Sequence, residues 1–152
     1  MSPGEIDKAL VRRHLLALDR ALEALRSHRG RSLEELQEDL DELWAVEHGL
    51  QVCAQNVIDV ATHIAVGAGR DVPDYRSAID RLGELGVLTR DFAARLSPVA
   101  GFRNVLVHGY LEVDVRVVHH LLNQRLEDFA EFARGVERYL SRSKGQGPSG
   151  ND

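Results

Sequence analysis

A chain of 152 residues with a formal net charge of −5 is most simply a single domain, and this charge argues against a surface that binds nucleic acid non-specifically. Its only cysteine, Cys53, excludes an intrachain disulfide and a four-cysteine zinc site. The longest apolar run falls far short of the roughly 20 residues of a membrane helix, and the N-terminus lacks the pattern of a secretion signal. We therefore expect a cytoplasmic protein with no membrane association.

The first half of the chain predicts two helices. Leucines at helical spacing predict the first, from about Glu5 to Ser27. Ser32, followed three residues later by Glu35, has the form of a capping box and predicts the start of the second. Apolar residues then step by threes and fours from Leu33 to about Val66, a length at which a helix often bends.

The second half predicts shorter helices and then a long one. The third runs roughly from Tyr75 to Leu85 and closes at Gly86, and Thr89 caps a fourth that Pro98 divides or kinks. A heptad-like stripe predicts a fifth helix from about Val115 to Leu140. The sequence thus predicts an all-α, up-and-down bundle of four to five helices, with one domain over residues 1–141 and a flexible, disordered Gly/Ser/Pro-rich tail over 142–152.

The segment RNVLVHGY, residues 103–110, concentrates polar groups near a predicted helix end. Asn104 and His108 share a helix face, whereas Arg103 and His108 would diverge by about 140° on a regular helix. Gly109 is suited to end the helix in a left-handed conformation, which would turn His108 and Tyr110 away from ideal helical directions. From spacing alone, two interpretations stand: a helix cap with solvated charges, or a site for an anionic substrate.

The same segment resembles the signature R-N-x(3)-H-x-Y of the HEPN superfamily, and within it the chain is similar to HepT-type toxins. The long second helix with VEHGLQVCAQNVIDVATHIA, and a final amphipathic helix beginning near DVRVVHHLL, extend the resemblance over roughly residues 7–140. It implies a HEPN-like fold and a metal-independent endoribonuclease, with Arg103 and His108 as catalytic residues. Histidine can move protons near neutral pH, and a guanidinium can stabilise charge at phosphorus. Asn104 could orient the phosphate or His108.

The resemblance also implies partners. HEPN ribonucleases act on RNA as homodimers in which the motifs of two chains meet, and this would compensate for the single motif histidine. HepT-type toxins pair with a minimal nucleotidyltransferase (MNT-type) antitoxin, in a type VII-like toxin–antitoxin system, that adenylylates the motif tyrosine. Here that residue is Tyr110, whose alternative role is that of an ordinary half-buried tyrosine. The contrasting hypothesis for the whole chain is a non-catalytic HEPN module that binds a nucleotide or a nucleotidyltransferase partner.

A polar strip on the second helix is a further candidate. Asn56, Asp59 and His63 stand at positions i, i+3 and i+7 among apolar residues. One interpretation is an exposed or dimer-facing surface, and the other is support for the motif, in which Asp59 rather than His63 orients or charges its Arg or His. The remaining histidines lack metal-ligand spacing and no phosphate-binding glycine loop follows a strand, so we expect neither a metal nor a cofactor.

Overall fold

The computed structural model describes residues 5–108 and 113–145, with side chains described to residue 142. All regular elements in these ranges are helical, which confirms the predicted all-α class. The elements are α1 (Lys8–Arg26), α2 (Leu33–Glu38), α3 (Leu40–Gly67), α4 (Tyr75–Glu84), α5 (Arg90–Leu96), α6 (Val99–His108), α7 (Val115–His120), a π-helical turn (Leu121–Arg125) and α8 (Leu126–Gly145).

The predicted second helix is divided in two at Asp39. Ser32 and Glu35 form the expected capping box at the start of α2. Asp39 then adopts an extended conformation, and its carboxylate accepts a hydrogen bond from the amide of Glu42 at 3.1 Å. Asp39, which lies inside the predicted second helix, is therefore the N-cap of α3, because its side chain accepts from a backbone amide at the start of that helix.

The predicted fourth and fifth helices are also interrupted. Pro98, which has no amide hydrogen, separates α5 from α6. The π-helical turn lies between α7 and α8, and its Asn123 accepts from the amide of Gly30 at 2.7 Å and donates to the carbonyl of Arg31 at 3.3 Å. The final helix reaches Gly145 rather than Leu140, and residues 146–152 of the predicted tail lie outside the described residues.

The helices pack around α3. This helix lies along α1 and also contacts α4 and α6, while α8 packs on α1 and α4 packs on α5. The most completely buried large side chains come from these helices and from the π-helical turn, and include Leu18, Leu25, Leu50, Ile58, Ile64, Ile79, Leu82, Leu122, Phe132 and Leu140. Because α6 is held against α3 and α4, its Arg103 contacts side chains from both helices. None of the described helices combines the length and the apolar character needed to cross a bilayer.

Candidate active site

Helix α6 carries most of the polar motif. Arg103 is half-buried, whereas Asn104 and His108 are exposed. The description of α6 ends at His108. Gly109 and Tyr110 fall within 109–112, outside the described residues, so the helix end at Gly109 and the environment of Tyr110 stay predictions.

Arg103 is connected to helix α3 through a glutamine. Its Nε donates to Oε1 of Gln55 at 2.6 Å, and Nε2 of Gln55 donates to Oδ1 of Asp59 at 2.8 Å. A guanidinium can only donate and an ionised carboxylate can only accept, so the two neighbours fix the orientation of the amide between them. Asp59 therefore reaches the motif indirectly, through Gln55.

Two further groups restrain the guanidinium. Nη1 of Arg103 donates to Oδ1 of Asn104 at 3.1 Å, and the ring of Tyr75 lies with its centroid 5.5 Å from Cζ. The second distance is within the range of a cation–π contact. Among the described residues Nη2 has no hydrogen-bond partner. The arrangement holds the planar group from three sides and leaves one donor edge for an anion.

His108 lies away from this restrained arginine. Five residues of regular helix separate the two by about 140° and a rise of about 7.5 Å. The imidazole is exposed and has no side-chain partner in the described part of the chain. Within one chain, α6 therefore presents the two groups in different directions.

The three residues of the polar strip on α3 have different partners. Oδ1 of Asn56 accepts from Nδ1 of His14 at 2.8 Å, and Nδ2 of Asn56 donates to the carbonyl of Val52. His63 accepts from the amide of Asp7 at 3.0 Å, at the start of α1. Only Asp59 is linked to the motif, so the strip is not one continuous surface.

Gln55 is the site residue that the sequence interpretation missed. The sequence does place Gln55 four residues before Asp59, so the two side chains share a face of the predicted second helix. What the sequence does not reveal is that α6 crosses α3 at this turn.

An open groove of about 430 Å³ borders the motif. It is lined by Pro73, Asp74, Tyr75, Arg76, Ala100, Gly101 and Asn104.

Cys53 lies on the buried face of α3. Burial raises the pKa of its thiol to about 12, so the thiol stays protonated and is unsuited to act as a nucleophile. The described side chains contain no cluster of three or more His, Cys, Asp or Glu that could hold a metal ion.

Comparisons with known proteins agree on one family. A family model described as ribonuclease HepT-like matches residues 18–136. The chain is 26% identical over 137 residues to a tRNA nuclease HepT from Aphanizomenon flos-aquae, covering 89% of this chain and 92% of that protein. It is 32% identical over 84 residues to an mRNA nuclease HepT from Shewanella oneidensis, covering 55% and 63% respectively.

A solved structure shows the same fold. The tri-AMPylated HEPN toxin of Shewanella oneidensis, in complex with an MNT antitoxin, superimposes with a TM-score of 0.75. The match covers 84% of this chain and 96% of the toxin at 24% sequence identity, and it confirms the HEPN-like bundle. The family model spans most of the domain and includes the helices that carry Asp59 and Arg103. The chain therefore belongs to the ribonuclease HepT-like family.

Proposed function

We propose that this protein is a metal-independent endoribonuclease toxin in which Arg103 and His108 are the catalytic residues. The observation that carries the proposal is the restrained Arg103 guanidinium, held by Gln55, Asn104 and the ring of Tyr75. A cation fixed in advance stabilises charge that develops on a phosphate without reorganising during the reaction. The nuclease names of two relatives support the same reaction class.

The two groups have complementary chemical roles. His108 would move a proton at the 2′-hydroxyl or at the leaving oxygen, since imidazole titrates near neutral pH. Arg103 would bind the phosphate through its unengaged Nη2 edge and stabilise the negative charge on the phosphorus centre. Asn104 would orient the guanidinium, and Asp59 would act through Gln55.

The direction of His108 supports a homodimer. Because the two groups diverge on α6, a phosphate bound by Arg103 of one chain would meet His108 of a second chain. Mixing Arg103→Ala with His108→Ala protein tests this arrangement, since each heterodimer would rebuild one intact site. Equal amounts with free subunit exchange should recover about a quarter of wild-type activity, because half of the dimers would each have one of two sites. If the mixture stays inactive after exchange, both residues act within one chain.

Catalysis is tested by comparing wild type, Arg103→Ala and His108→Ala on RNA in the presence of EDTA. His120→Ala is a matched control, because His120 is an exposed histidine outside the motif. We expect cleavage by wild type and the control, and a loss of at least a hundredfold in both motif variants. An inactive wild type that still binds nucleotide would support the non-catalytic alternative.

We further propose that an MNT-type nucleotidyltransferase antitoxin neutralises the toxin by adenylylating Tyr110. The support is the motif position of Tyr110 and the AMPylated state of the Shewanella oneidensis toxin in its complex. An added AMP would bring negative charge and bulk to the motif that contains Arg103 and His108, and both should hinder the binding of RNA. Intact-mass measurement after incubation with the antitoxin and ATP should show AMP additions that vanish in Tyr110→Phe and persist in Tyr139→Phe.

A further inference from the structure

A second groove, of about 930 Å³, lies between α8 and the turn that joins α4 to α5. Gly135 of α8 forms part of its floor, where a Cβ would stand 2.9 Å from Cδ2 of Leu88 and 3.2 Å from the carbonyl oxygen of Val87. Gly86, with a φ of 79°, turns the chain at the end of α4. Gly135 therefore allows α8 to approach the turn between α4 and α5 closely, whereas Gly86 is needed for the backbone conformation of that turn.

Four arginines line this groove. Helix α8 contributes Arg134, Arg138 and Arg142 at successive steps of four residues, and Arg90 stands at the first position of α5. Each step of four residues advances about 6 Å along the helix axis and stays near one face. The three arginines of α8 therefore stand in a row along the helix rather than in a cluster around one point.

These arginines differ from most others in the described structure by lacking carboxylate partners. Salt bridges engage Arg12, Arg26, Arg29, Arg31, Arg70, Arg81, Arg95, Arg116 and Arg125. Within residues 5–108 and 113–142, Arg90, Arg134 and Arg138 have no such partner, and Arg142 donates to the carbonyl of Gly86 at 3.3 Å.

Among the described residues that line the groove, the one acidic residue is Glu137, and its charge is balanced by an arginine. Its carboxylate accepts from Nη2 of Arg12 at 2.7 Å and from Nε of Arg12 at 3.2 Å. These hydrogen bonds hold the pKa of Glu137 below its ordinary value, so Glu137 stays ionised. Its negative charge is balanced by the positive charge of Arg12. The groove is thus a positively charged surface on a protein whose net charge is −5.

We infer that the row formed by Arg134, Arg138 and Arg142, with Arg90, binds the sugar-phosphate backbone of an RNA strand. A row of evenly spaced guanidinium groups matches a polyanion with repeating charge better than it matches a single phosphate. The described lining residues include no aromatic side chain on which bases could stack, so the contact is with phosphates and is independent of base sequence. That the polyanion is the substrate of the motif rests on the function proposed above.

The test measures binding separately from cleavage. His108→Ala protein is titrated into a fluorescein-labelled single-stranded polyuridylate of roughly 20 nucleotides over a series of salt concentrations. Arg134→Ala/Arg138→Ala is introduced in that background and compared with Arg13→Ala/Arg20→Ala, which removes two exposed arginines of α1 that have no carboxylate partner in the described ranges. Both pairs change the net charge equally.

The slope of log affinity against log salt is negative, and each phosphate contact to a single strand contributes about 0.7 to its magnitude. Loss of two contacts should therefore make the slope shallower by about 1.4. The α1 pair should leave the slope unchanged. Arg134→Lys/Arg138→Lys should restore most of it, since lysine keeps the charge, and circular dichroism should show equal helix content in all variants. Equal slopes for the groove and α1 pairs would overturn the inference.

Cleavage measurements distinguish this inference from the proposed function. If wild type cuts RNA but the groove pair binds and cuts like the α1 pair, the groove inference fails and the ribonuclease proposal stands. If wild type does not cut RNA although the groove pair lowers the slope, the ribonuclease proposal fails and the groove still binds RNA. If the groove pair loses only binding to the antitoxin, the occupant is a protein and the inference is wrong.

Discussion

Nε of Arg103 donates to Oε1 of Gln55 at 2.6 Å, and this contact joins the motif helix to the central helix of the bundle. The partner is an uncharged amide. It orients the guanidinium without neutralising it, whereas a carboxylate at the same distance would compete with a phosphate for the positive charge. The carboxylate of Asp59 contacts the other end of the Gln55 amide and does not contact Arg103 directly.

The first prediction concerns Gln55. Gln55→Ala removes a hydrogen bond to a charged group, which is worth about 1.5–3 kcal/mol, so we expect RNA cleavage to fall by roughly tenfold or more. Gln51→Ala is the matched control, because Gln51 lies one turn earlier on α3 and has no side-chain partner in the described structure. Single-turnover cleavage at saturating RNA measures the effect. Equal rates for the two variants would show that Gln55 does not position Arg103.

The second prediction separates the charge of Asp59 from its hydrogen bond. Asn at position 59 can still accept from Nε2 of Gln55, whereas Ala cannot. If orientation of the amide is the role of Asp59, Asp59→Asn should retain cleavage within about twofold while Asp59→Ala loses roughly three- to tenfold, in line with one hydrogen bond. Equal losses in both variants would instead assign the role to the negative charge.

The third prediction concerns the aromatic face beside Arg103. Tyr75 is 41% exposed, and a cation–π contact at such a site is worth about 0.5–1 kcal/mol. Tyr75→Leu should therefore slow cleavage roughly two- to fivefold, while Tyr75→Phe, which keeps the ring, should cleave at the wild-type rate. A loss in Tyr75→Phe equal to that in Tyr75→Leu would implicate the hydroxyl instead.

Much of the helical architecture was predictable because its signals are local. The Ser32 capping box, the Thr89 cap and the missing amide hydrogen of Pro98 each act within one helical turn, and all three occur where the sequence predicts them. Asp39 was harder to interpret, since an aspartate within an apolar periodicity is compatible with a solvated helix position. Its role as a cap depends on how α2 packs against its neighbours.

The candidate site was predictable only in part. The resemblance to the HEPN signature points to Arg103, Asn104 and His108, but the partners of Arg103 lie on other helices, at Gln55 and Tyr75. Such pairs depend on where α6 crosses α3 and α4, and this is a tertiary property with no local signal. The same reason explains why Asn56 and His63 contact α1 and its N-terminus rather than the motif.

The fourth prediction compares two helical glycines. A Cβ at Gly83 would lie 2.9 Å from Cβ of Ala93 and 3.4 Å from Cα of Arg90, so Gly83→Ala must push α4 and α5 apart. We expect a net loss of about 1–2 kcal/mol in the free energy of unfolding. Gly101 has no atom within 4 Å of such a Cβ, so Gly101→Ala should gain about 1 kcal/mol from helix propensity. Urea unfolding measures both, and a gain in Gly83→Ala would contradict the packing.

The last prediction concerns the pH dependence of the cap beneath Tyr75. Asp74 accepts from the amide of Ser77 at 2.8 Å, and this hydrogen bond lowers the pKa of Asp74 below its ordinary value. A lowered pKa in the folded state means that the ionised cap stabilises the protein above the unfolded pKa, about 3.9, and that this contribution is lost as the pH falls through the folded pKa.

Asp74→Asn isolates this effect, because asparagine also caps helices but carries no charge to interact with the helix dipole. At pH 7 wild type should have the higher urea midpoint. The difference should shrink towards zero as the pH is lowered through the folded pKa, which lies below about 3.9. Asp71→Asn, in the same loop, is the control for removing a charge. A wild-type advantage that stays constant down to the lowest pH would show that ionisation of Asp74 does not stabilise α4, and the orientation of Tyr75 towards Arg103 would then have to depend on packing alone.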